Sequence, residues 1–344
     1  MLKPDPDDKI HPVVKIAVIL DALAAEGVLA KDALAGSHLS KSAASSPETR
    51  VSLTQVLACC RNADRLSKDR HFAYHAGLQF HMSAYGLYGF AMLCSTDYRQ
   101  TMRFAVEYHQ LATPLVEILF SEEGRYAIWT FTPISLPRVD ARLYKFLVEL
   151  QFGILMSLHR DIMGPAFLAR ELRVSYPSPG DAATYPIIFG CRALFGETQN
   201  KFIFDRAWLD KKAELGNQII YPTIVKLCDA MAEEFQLRVG LAGKVRQILL
   251  VNLMRPTNFG EVARQLNMST RTLRRRLHQE NTSFRKLAGE LRTVIATKYL
   301  CDTDLTVEDI SHLLGFSEPS SFRQAFRRWT NVGPQQFRDV SGKG

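Results

Sequence analysis

The segment STRTLRRRLHQE, residues 269–280, has the side chains best suited to binding a polyanion. It contains four guanidinium groups, those of Arg271, Arg274, Arg275 and Arg276. A guanidinium group can donate two hydrogen bonds to the O6 and N7 atoms of guanine, and it also binds phosphate oxygens. An isolated arginine run on a helix is more often a solvated face, so the direction of these side chains has to be considered.

The apolar residues of this segment indicate which side of its helix is buried. Leu273 and the leucine one turn later mark the core side, since an α-helix advances by about 100° per residue. Arg271, Arg274 and Arg275 project away from that side, whereas Arg276 lies on its flank. We therefore predict that the first three face base edges and that Arg276 binds phosphate.

A second unit of the same design follows later in the chain, at a nearly constant offset. Each unit is a short helix, a tight turn and a second helix rich in arginine. The matched positions are Val262, Leu266, Met268, Ser269, Leu273 and Leu277 in the first unit and Ile310, Leu314, Phe316, Ser317, Phe322 and Phe326 in the second. This repeat predicts two helix-turn-helix units, a motif that places a helix in the DNA major groove.

The second helix of the later unit divides its faces in the same way. Phe322, Phe326 and Trp329 share one side, which we expect to be buried. The opposite side presents Ser320, Arg323, Gln324 and Arg327. Thr270 and Ser317 lie where the second helices are expected to begin, so the backbone amides there should bind phosphate.

The charge distribution supports a polyanionic partner for this part of the chain. From Lys244 onward there are 17 Lys and Arg residues and 9 Asp and Glu residues, which accounts for the whole net charge of +8. Such asymmetry suggests a neutral domain followed by a basic one. RNA readers usually expose aromatic rings, and membrane helices expose apolar faces, but here both are needed for packing. Double-stranded DNA fits best.

Other classes of protein are less well supported. No GxSxG, GxGxxG, Walker or HExxH motif occurs, so we predict a protein that is not an enzyme and has no cofactor. The six cysteines show no metal-binding spacing and are expected to be buried, reduced filler. The first residues are a poor signal peptide, and no apolar stretch approaches the roughly 20 residues of a membrane span. We therefore expect a cytoplasmic protein.

The elements before residue 244 indicate mixed structure. Residues 35–50 are expected to form a loop, with a helix beginning near Ser46 or Pro47. LVEILFSEEGRYAIWTFTP alternates about a turn and predicts a hairpin. A long apolar helix, two further strands and a short helix between them, in DAATYPIIFGCRALFG, follow. We predict an α+β N-terminal domain and an all-α C-terminal domain with two helix-turn-helix subdomains joined by a long helix.

The C-terminal residues resemble the signature of the AraC/XylS family of transcription regulators. The matching positions are Ile310, Gly315, Phe316, Ser317, Ser321, Phe322, Phe326, Arg327, Pro334 and Phe337, with Ser283, Phe284 and Arg292 upstream. Ser311 and Gly333 depart from the usual residues. The segment AYGLYGFAMLCSTDYRQTMRFAVEYHQLATPLVEI is similar to the N-terminal domain of the branch that regulates amino-acid and metabolite catabolism.

This resemblance implies different functions for successive segments of the chain. Residues 1–215 would bind an effector or dimerise, 216–243 would form a helix and linker, and 244–340 would bind DNA. The joining helix would span about 285–301. By position, base contacts would come from Arg271, Arg274 and Arg275 in the first unit and from Pro319, Ser320, Arg323 and Gln324 in the second. Since Pro319 offers no side-chain hydrogen bond, the second unit should discriminate bases less strictly.

The resemblance further implies partners. These are promoter DNA, an unidentified small-molecule effector, RNA polymerase and a second copy of the chain in a homodimer, with activation more common than repression. A ligand-independent or repressing regulator is the alternative. Polar-tipped aromatic residues in apolar surroundings are candidate effector contacts, although such residues are more often core. They are Tyr85, Tyr88, Tyr108, His109 and Trp129.

A metal- or haem-sensing function is a further alternative. His71, His75 and His81 form a loose cluster, and the first two would share a helical face. The sequence offers no obvious acidic or thiol partner for them. We therefore predict no metal site and expect these histidines to lie on the surface or in the core.

Overall fold

The structure, a computed structural model, describes residues 5–136, 139–252 and 257–341. It has two compact units: Pro6–Glu233, and the residues from Glu234 onward together with Asp5. The division falls within helix α10 (Ile220–Arg238). The helix end that the sequence predicts at Pro256 lies outside the described residues.

The first unit is a mixed helix and strand structure. Its other helices are α1 (Val14–Ala25), α2 (Ala30–Ala33), α3 (Lys41–Ala44), α4 (Leu53–Leu66), α5 (Phe72–Gly77), α6 (Gly86–Cys94), α7 (Tyr98–Glu107), α8 (Ala141–Met163) and α9 (Tyr185–Phe189). Its strands are β1 (His11–Pro12), β2 (Arg50–Val51), β3 (Val116–Glu123), β4 (Tyr126–Pro133), β5 (Glu171–Val174), β6 (Arg192–Phe195) and β7 (Asn200–Asp205). Short 3-10 turns lie at Met82–Tyr85, His109–Ala112, Ala182–Thr184 and Arg206–Asp210.

Five of these strands form one sheet in the order β3-β4-β7-β5-β6. All neighbours are antiparallel except β5 and β6, which are parallel. The predicted hairpin is β3 and β4, in which Glu123 pairs with Tyr126 across the turn. Trp129 of β4 lies between Phe120 and Phe202 on the neighbouring strands, so aromatic residues occupy paired positions across three adjacent strands.

The long helix α8 passes through the core and contacts α5 at a pair of glycines. Most of its residues are buried, and Asp140 caps its first turn by accepting a hydrogen bond from the Leu143 amide at 2.8 Å. A Cβ on Gly153 would lie 2.2 Å from the Tyr74 carbonyl oxygen, and one on Gly77 would lie 2.4 Å from that of Leu150. Only glycines allow the two helix backbones to approach so closely.

The second unit is helical throughout its described residues. After the end of α10 it contains α11 (Gly240–Val251), α12 (Phe259–Gln265), α13 (Thr270–Gln279), α14 (Phe284–Asp302), α15 (Val307–Leu313), α16 (Pro319–Thr330) and α17 (Pro334–Ser341). One core forms around Leu273 and Leu277, and a separate core forms around Phe322 and Phe326. The helix α14 contributes residues to both cores and thereby joins two helix-turn-helix subdomains.

The predicted fold class is therefore confirmed, with local corrections. The expected loop at 35–50 contains the one-turn helix α3 and ends in β2, which pairs with β1. The next helix, α4, begins at Leu53 because Ser52 and Gln55 form a capping box, so the start predicted near Ser46 or Pro47 was wrong. Strand β6 was missed. Cys301 is exposed rather than buried filler. None of the described helices is long and apolar enough to cross a bilayer.

Candidate nucleic-acid interface and candidate effector cavity

The turns of the two helix-turn-helix units have the same backbone geometry. In the first, the Met268 amide donates to the Ala263 carbonyl at 2.8 Å, and in the second the Phe316 amide donates to that of Ser311 at 3.1 Å. Asn267 has φ of 53°, and Gly315, at the equivalent position of the second turn, has φ of 75°. Both residue types tolerate this left-handed conformation, which turns the chain sharply between the two helices.

The helices before the turns also begin alike. Asn258 and Glu261 form a capping box on α12, and Thr306 and Asp309 form one on α15. The two boxes occupy equivalent positions, each the same distance ahead of its turn. A capping box satisfies two of the amides that every helix leaves unpaired at its start. Start, turn and core positions therefore repeat in register, although the sequences of the two units differ at most positions.

The helices after the turns bury their apolar stripes and expose their arginines. Leu273 and Leu277 of α13 and Phe322 and Phe326 of α16 are almost fully buried. The predicted interface residues that lie exposed are Thr270, Arg271, Arg274, Arg275, Arg276, Ser317, Ser320, Arg323, Gln324 and Arg327. Pro319 is half-buried and opens α16 at its first position. The side-chain directions agree with those expected from helical geometry.

The starts of α13 and α16 differ. Ser269 caps α13 by accepting a hydrogen bond from the Thr272 amide at 3.1 Å, so Thr270 is its first helical residue as expected. Ser317 is not at the equivalent place. The residue before α16 is Glu318, which makes no side-chain cap, because the second unit has one more residue between turn and helix.

The exposed arginines differ in what holds them. Within the described residues, no ion pair engages Arg271 or Arg275. The Arg274 guanidinium lies 5.5 Å from the ring centroid of Phe259 on α12. The Arg323 guanidinium donates to the Glu308 carboxylate on α15, so part of its hydrogen-bonding capacity is already used within the protein. Glu308 was not identified from the sequence, because it belongs to a different helix from Arg323.

An open cleft of about 710 Å³ lies beside α16. Arg323, Gln324 and Arg327 line one side of it, and the first residues of α15 and α17 line the rest. Thr306 and Pro334 lie at these helix starts, where backbone amides favour anions. The cleft thus combines exposed cations with helix N-termini, which suits a phosphate backbone.

The first unit encloses a separate cavity of about 60 Å³. Four of the five predicted effector residues, Tyr85, Tyr88, His109 and Trp129, line it. Tyr108 does not, because its hydroxyl donates to the Asp229 carboxylate of α10. The lining also includes polar residues that were not identified from the sequence, namely Lys15, Thr101, Gln151 and His159.

Most polar groups of the cavity are already hydrogen-bonded to protein. The Tyr88 hydroxyl donates to the Ala105 carbonyl at 3.1 Å, and His109 Nε2 donates to that of Val116 at 2.9 Å. Trp129 Nε1 donates to His159 Nε2 at 3.1 Å, while His159 Nδ1 donates to the Leu155 carbonyl at 2.7 Å. Burial lowers the pKa of both histidines to about 4, so they are neutral at pH 7.

Each of the three histidines considered for a metal site lies near a different aspartate. His75 Nδ1 lies 2.5 Å from Asp69, and His81 Nδ1 lies 3.0 Å from Asp161. His71 Nε2 lies 3.9 Å from Asp181, which is a longer ion-pair distance. The described residues contain no group of three potential metal ligands. These aspartate partners were not identified from the sequence.

Comparison with known families and proteins identifies relatives for both units. Residues 27–213 match the arabinose-binding N-terminal domain of AraC transcription regulators, and residues 262–339 match a helix-turn-helix domain. An uncharacterised HTH-type transcriptional regulator of Mycobacterium tuberculosis is 29% identical over 97% of this chain and 98% of its own. The ornithine utilization regulator of Pseudomonas aeruginosa is 26% identical over 96% and 97%.

A solved structure has the same fold over nearly the whole chain. The transcriptional regulator CdpR from Pseudomonas aeruginosa aligns with a TM-score of 0.51 and 20% identity, covering 95% of this chain and 98% of that one. The relatives are transcription regulators, which agrees with the prediction that this chain is not an enzyme.

Proposed function

Because the chain belongs to the AraC family of transcription regulators, we propose that it binds a specific promoter sequence through its C-terminal unit and senses a small molecule through its N-terminal unit. The main support is the duplicated helix-turn-helix geometry, which presents two arginine-bearing helices from one basic unit. Two such helices can occupy successive major grooves of one duplex. A regulator of this kind acts in the cytoplasm, where promoter DNA is found.

The helices α13 and α16, the two proposed recognition helices, would contribute unequally to base discrimination. Arg271 and Arg275 project from α13 without an ion-pair partner among the described residues and are the strongest candidates for guanine contacts. Arg323 is held by Glu308, and the adjoining Pro319 has no side-chain donor. We therefore expect α13 to supply most of the base discrimination. The α16 side would contribute mainly affinity, through phosphate contacts at Arg327 and the neighbouring cleft.

Selection of binding sites from random duplex DNA by the full-length protein tests this proposal. The enriched duplex and a scrambled duplex would then be compared by fluorescence anisotropy at two salt concentrations. A sequence-specific regulator retains its preference for the enriched duplex as salt rises, because base contacts do not depend on counterion release. Binding that ignores sequence and disappears with salt would contradict specific recognition.

Three variants then separate the roles of the helices. Arg275→Ala should cost about 1–3 kcal/mol of discrimination against a single altered base pair. Arg323→Ala should weaken binding to both duplexes with a smaller loss of discrimination. Lys298→Ala, at an exposed position of α14, removes the same charge from a helix other than α13 and α16 and is the control. A larger loss of discrimination for Arg323→Ala than for Arg275→Ala would contradict the assignment.

The sign of regulation and the assembly form the remaining part of the proposal. We propose an activator that binds as a homodimer and contacts RNA polymerase, because activation is the commoner mode in this family. Transcription in vitro from a promoter that contains the selected site tests this directly. Activation would appear as more transcript in the presence of the protein, whereas less transcript would favour the repressor alternative. Sedimentation of the protein with and without DNA gives the stoichiometry.

A further inference from the structure

A lysine lines the cavity of the first unit, where a charged group is unusual. Lys15 belongs to α1 and is only 4% exposed. Its ammonium nitrogen lies 5.2 Å from the ring centroid of Phe80 and 5.7 Å from that of Tyr85, which also lines the cavity. Lys15 precedes residues 27–213, the part of the chain that matches the arabinose-binding domain.

This ammonium has no carboxylate partner among the residues that the structure describes. Among the described residues the cavity lining contains no Asp or Glu, and the Cys60 thiol near Lys15 is neutral at pH 7 because burial raises its pKa. Burial lowers the pKa of Lys15 to about 8, so the side chain still bears a positive charge at pH 7. Buried charges in proteins are normally paired, because an isolated one loses its hydration without compensation.

Two neutral groups of the lining are also unused. Within the described part of the chain, neither the Tyr85 hydroxyl nor the Gln151 amide makes a hydrogen bond to protein. Both can donate, and Gln151 is buried. The other polar groups of the lining differ in this respect, since Tyr88, Trp129 and Thr101 all donate to protein acceptors. One cation and two free donors therefore surround the same space.

We propose that this cavity binds a small aliphatic carboxylate, with Lys15 as its counter-charge and Tyr85 and Gln151 as hydrogen-bond donors. The inference rests on the proposed effector-sensing function and names the chemical class of the effector. The rest of the lining suits an alkyl chain, because it is made mainly of apolar side chains. They include Met82, Met92, Met102, Leu115, Ile154 and Leu155.

The same lining disfavours other classes of small molecule. A sugar would need a partner for each hydroxyl, and too few free polar groups are present. An amino acid would bring a second, positive group, and among the described residues the lining offers no carboxylate to pair with it. The cavity volume of about 60 Å³ equals roughly four to six water-sized spaces, at about 10–15 Å³ for each. This favours a ligand of about four to six non-hydrogen atoms, such as propionate or butyrate.

The test uses the full-length protein and measures binding by isothermal titration calorimetry and by ligand-induced changes in melting temperature. The probes are acetate, butyrate, hexanoate and octanoate, with butyramide as the uncharged analogue of butyrate. We expect saturable binding that is strongest near butyrate, and at least about tenfold weaker binding of butyramide. Equal binding of butyramide, or no binding of any carboxylate, would overturn the proposal.

Variants connect the binding to the named residues. Lys15→Met should weaken butyrate binding by more than about thirtyfold, and Tyr85→Phe by about three- to tenfold. Lys298→Met, the same substitution on an exposed lysine of α14, is the control and should bind like the wild type. A folded Lys15→Met protein that binds butyrate with unchanged affinity would overturn the assignment. Lys15→Arg, which keeps the charge, should retain part of the affinity.

The failure of this proposal can be distinguished from failure of the proposed function. DNA selection and anisotropy are performed without added carboxylate and report on promoter recognition alone. If the protein recognises a specific duplex but binds no carboxylate, the ligand class is wrong and the regulator function stands. If butyrate binds as expected but changes neither DNA affinity nor transcription, the carboxylate site stands and the effector role is wrong.

Discussion

The substitution Lys15→Met should make the ligand-free first unit more stable. The pKa of Lys15 falls from its usual 10.5 to about 8 on folding, mainly through burial. Each pKa unit corresponds to about 1.4 kcal/mol, so keeping this ammonium charged inside the folded protein costs about 3 kcal/mol at pH 7. Methionine has a similar length and no charge. It should therefore occupy the same space without that cost.

Part of this gain is offset by lost contacts. The ammonium lies near the faces of Phe80 and Tyr85, and each cation–π contact contributes on the order of 0.5–1 kcal/mol. The net increase in the free energy of unfolding should then be about 2 kcal/mol at pH 7. Most substitutions of buried residues destabilise a protein, so an increase of this size is distinctive.

The pH dependence of the difference identifies its cause. The folded pKa of Lys15 lies below the unfolded one, so the cost is complete below pH 8 and disappears as pH rises toward 10.5. The wild type should therefore approach the stability of Lys15→Met across this range. His11 and His109, whose pKa values are lowered by burial and further by the Lys15 charge, are neutral throughout it.

Urea unfolding followed by tryptophan fluorescence measures the effect. Two of the three tryptophans, Trp129 and Trp208, lie in the first unit and report its transition. The wild type, Lys15→Met and the surface control Lys298→Met would be compared at pH 7 and at pH 10. Lys15→Met that is less stable than the wild type at pH 7, or a difference that does not shrink by pH 10, would refute the reasoning.

Three further predictions concern other contacts. Gly153→Ala should lower the free energy of unfolding by about 2 kcal/mol or more, because the added Cβ would collide with the α5 backbone beside Gly77. Thermal unfolding measures this loss. Glu308→Gln should raise DNA affinity about two- to fivefold, because it releases Arg323 and removes a charge that repels phosphate. Fluorescence anisotropy measures this affinity, and a decrease in affinity would contradict the prediction. Glu280→Ala should destabilise the second unit by about 1–2 kcal/mol, because this carboxylate accepts hydrogen bonds from the first amides of α11 at 2.9 and 3.0 Å; urea unfolding followed by circular dichroism tests it.

The recognition helices could be predicted from the sequence because their determinants are local. Helical periodicity places Leu273 in the core and Arg275 outside it, and the nearly constant offset between matched positions reveals the repeat directly. Both features depend on patterns that are read within a few helical turns. The extra residue that places Glu318, rather than Ser317, before α16 was already visible, because the offset increases by one after the turn. The effect of this extra residue on where α16 begins became clear only from the backbone structure.

Most of the missed features depend on contacts between distant parts of the chain. Lys15 lies on α1, while Gln151 comes from α8, and no periodicity connects two helices so far apart in the sequence. Strand β6 is short and pairs with β5 alone, so its four residues were assigned to the preceding helical segment. The acidic partners of His75 and His81 were missed for different reasons: Asp69 is near in sequence but in a loop, and Asp161 is on α8.

The two units present unpaired cations under opposite conditions. On the second unit, Arg271 and Arg275 are exposed to water, where an unpaired charge has little energetic cost. Several unpaired arginines can therefore remain available for phosphate binding. In the first unit, Lys15 lies inside the protein, where keeping one such charge costs about 3 kcal/mol. Net charge reveals the first arrangement and conceals the second, because residues 1–243 are neutral as a whole. An anion that pairs with Lys15 removes that cost, and it can influence DNA binding only if a second state of the protein pairs with it less well.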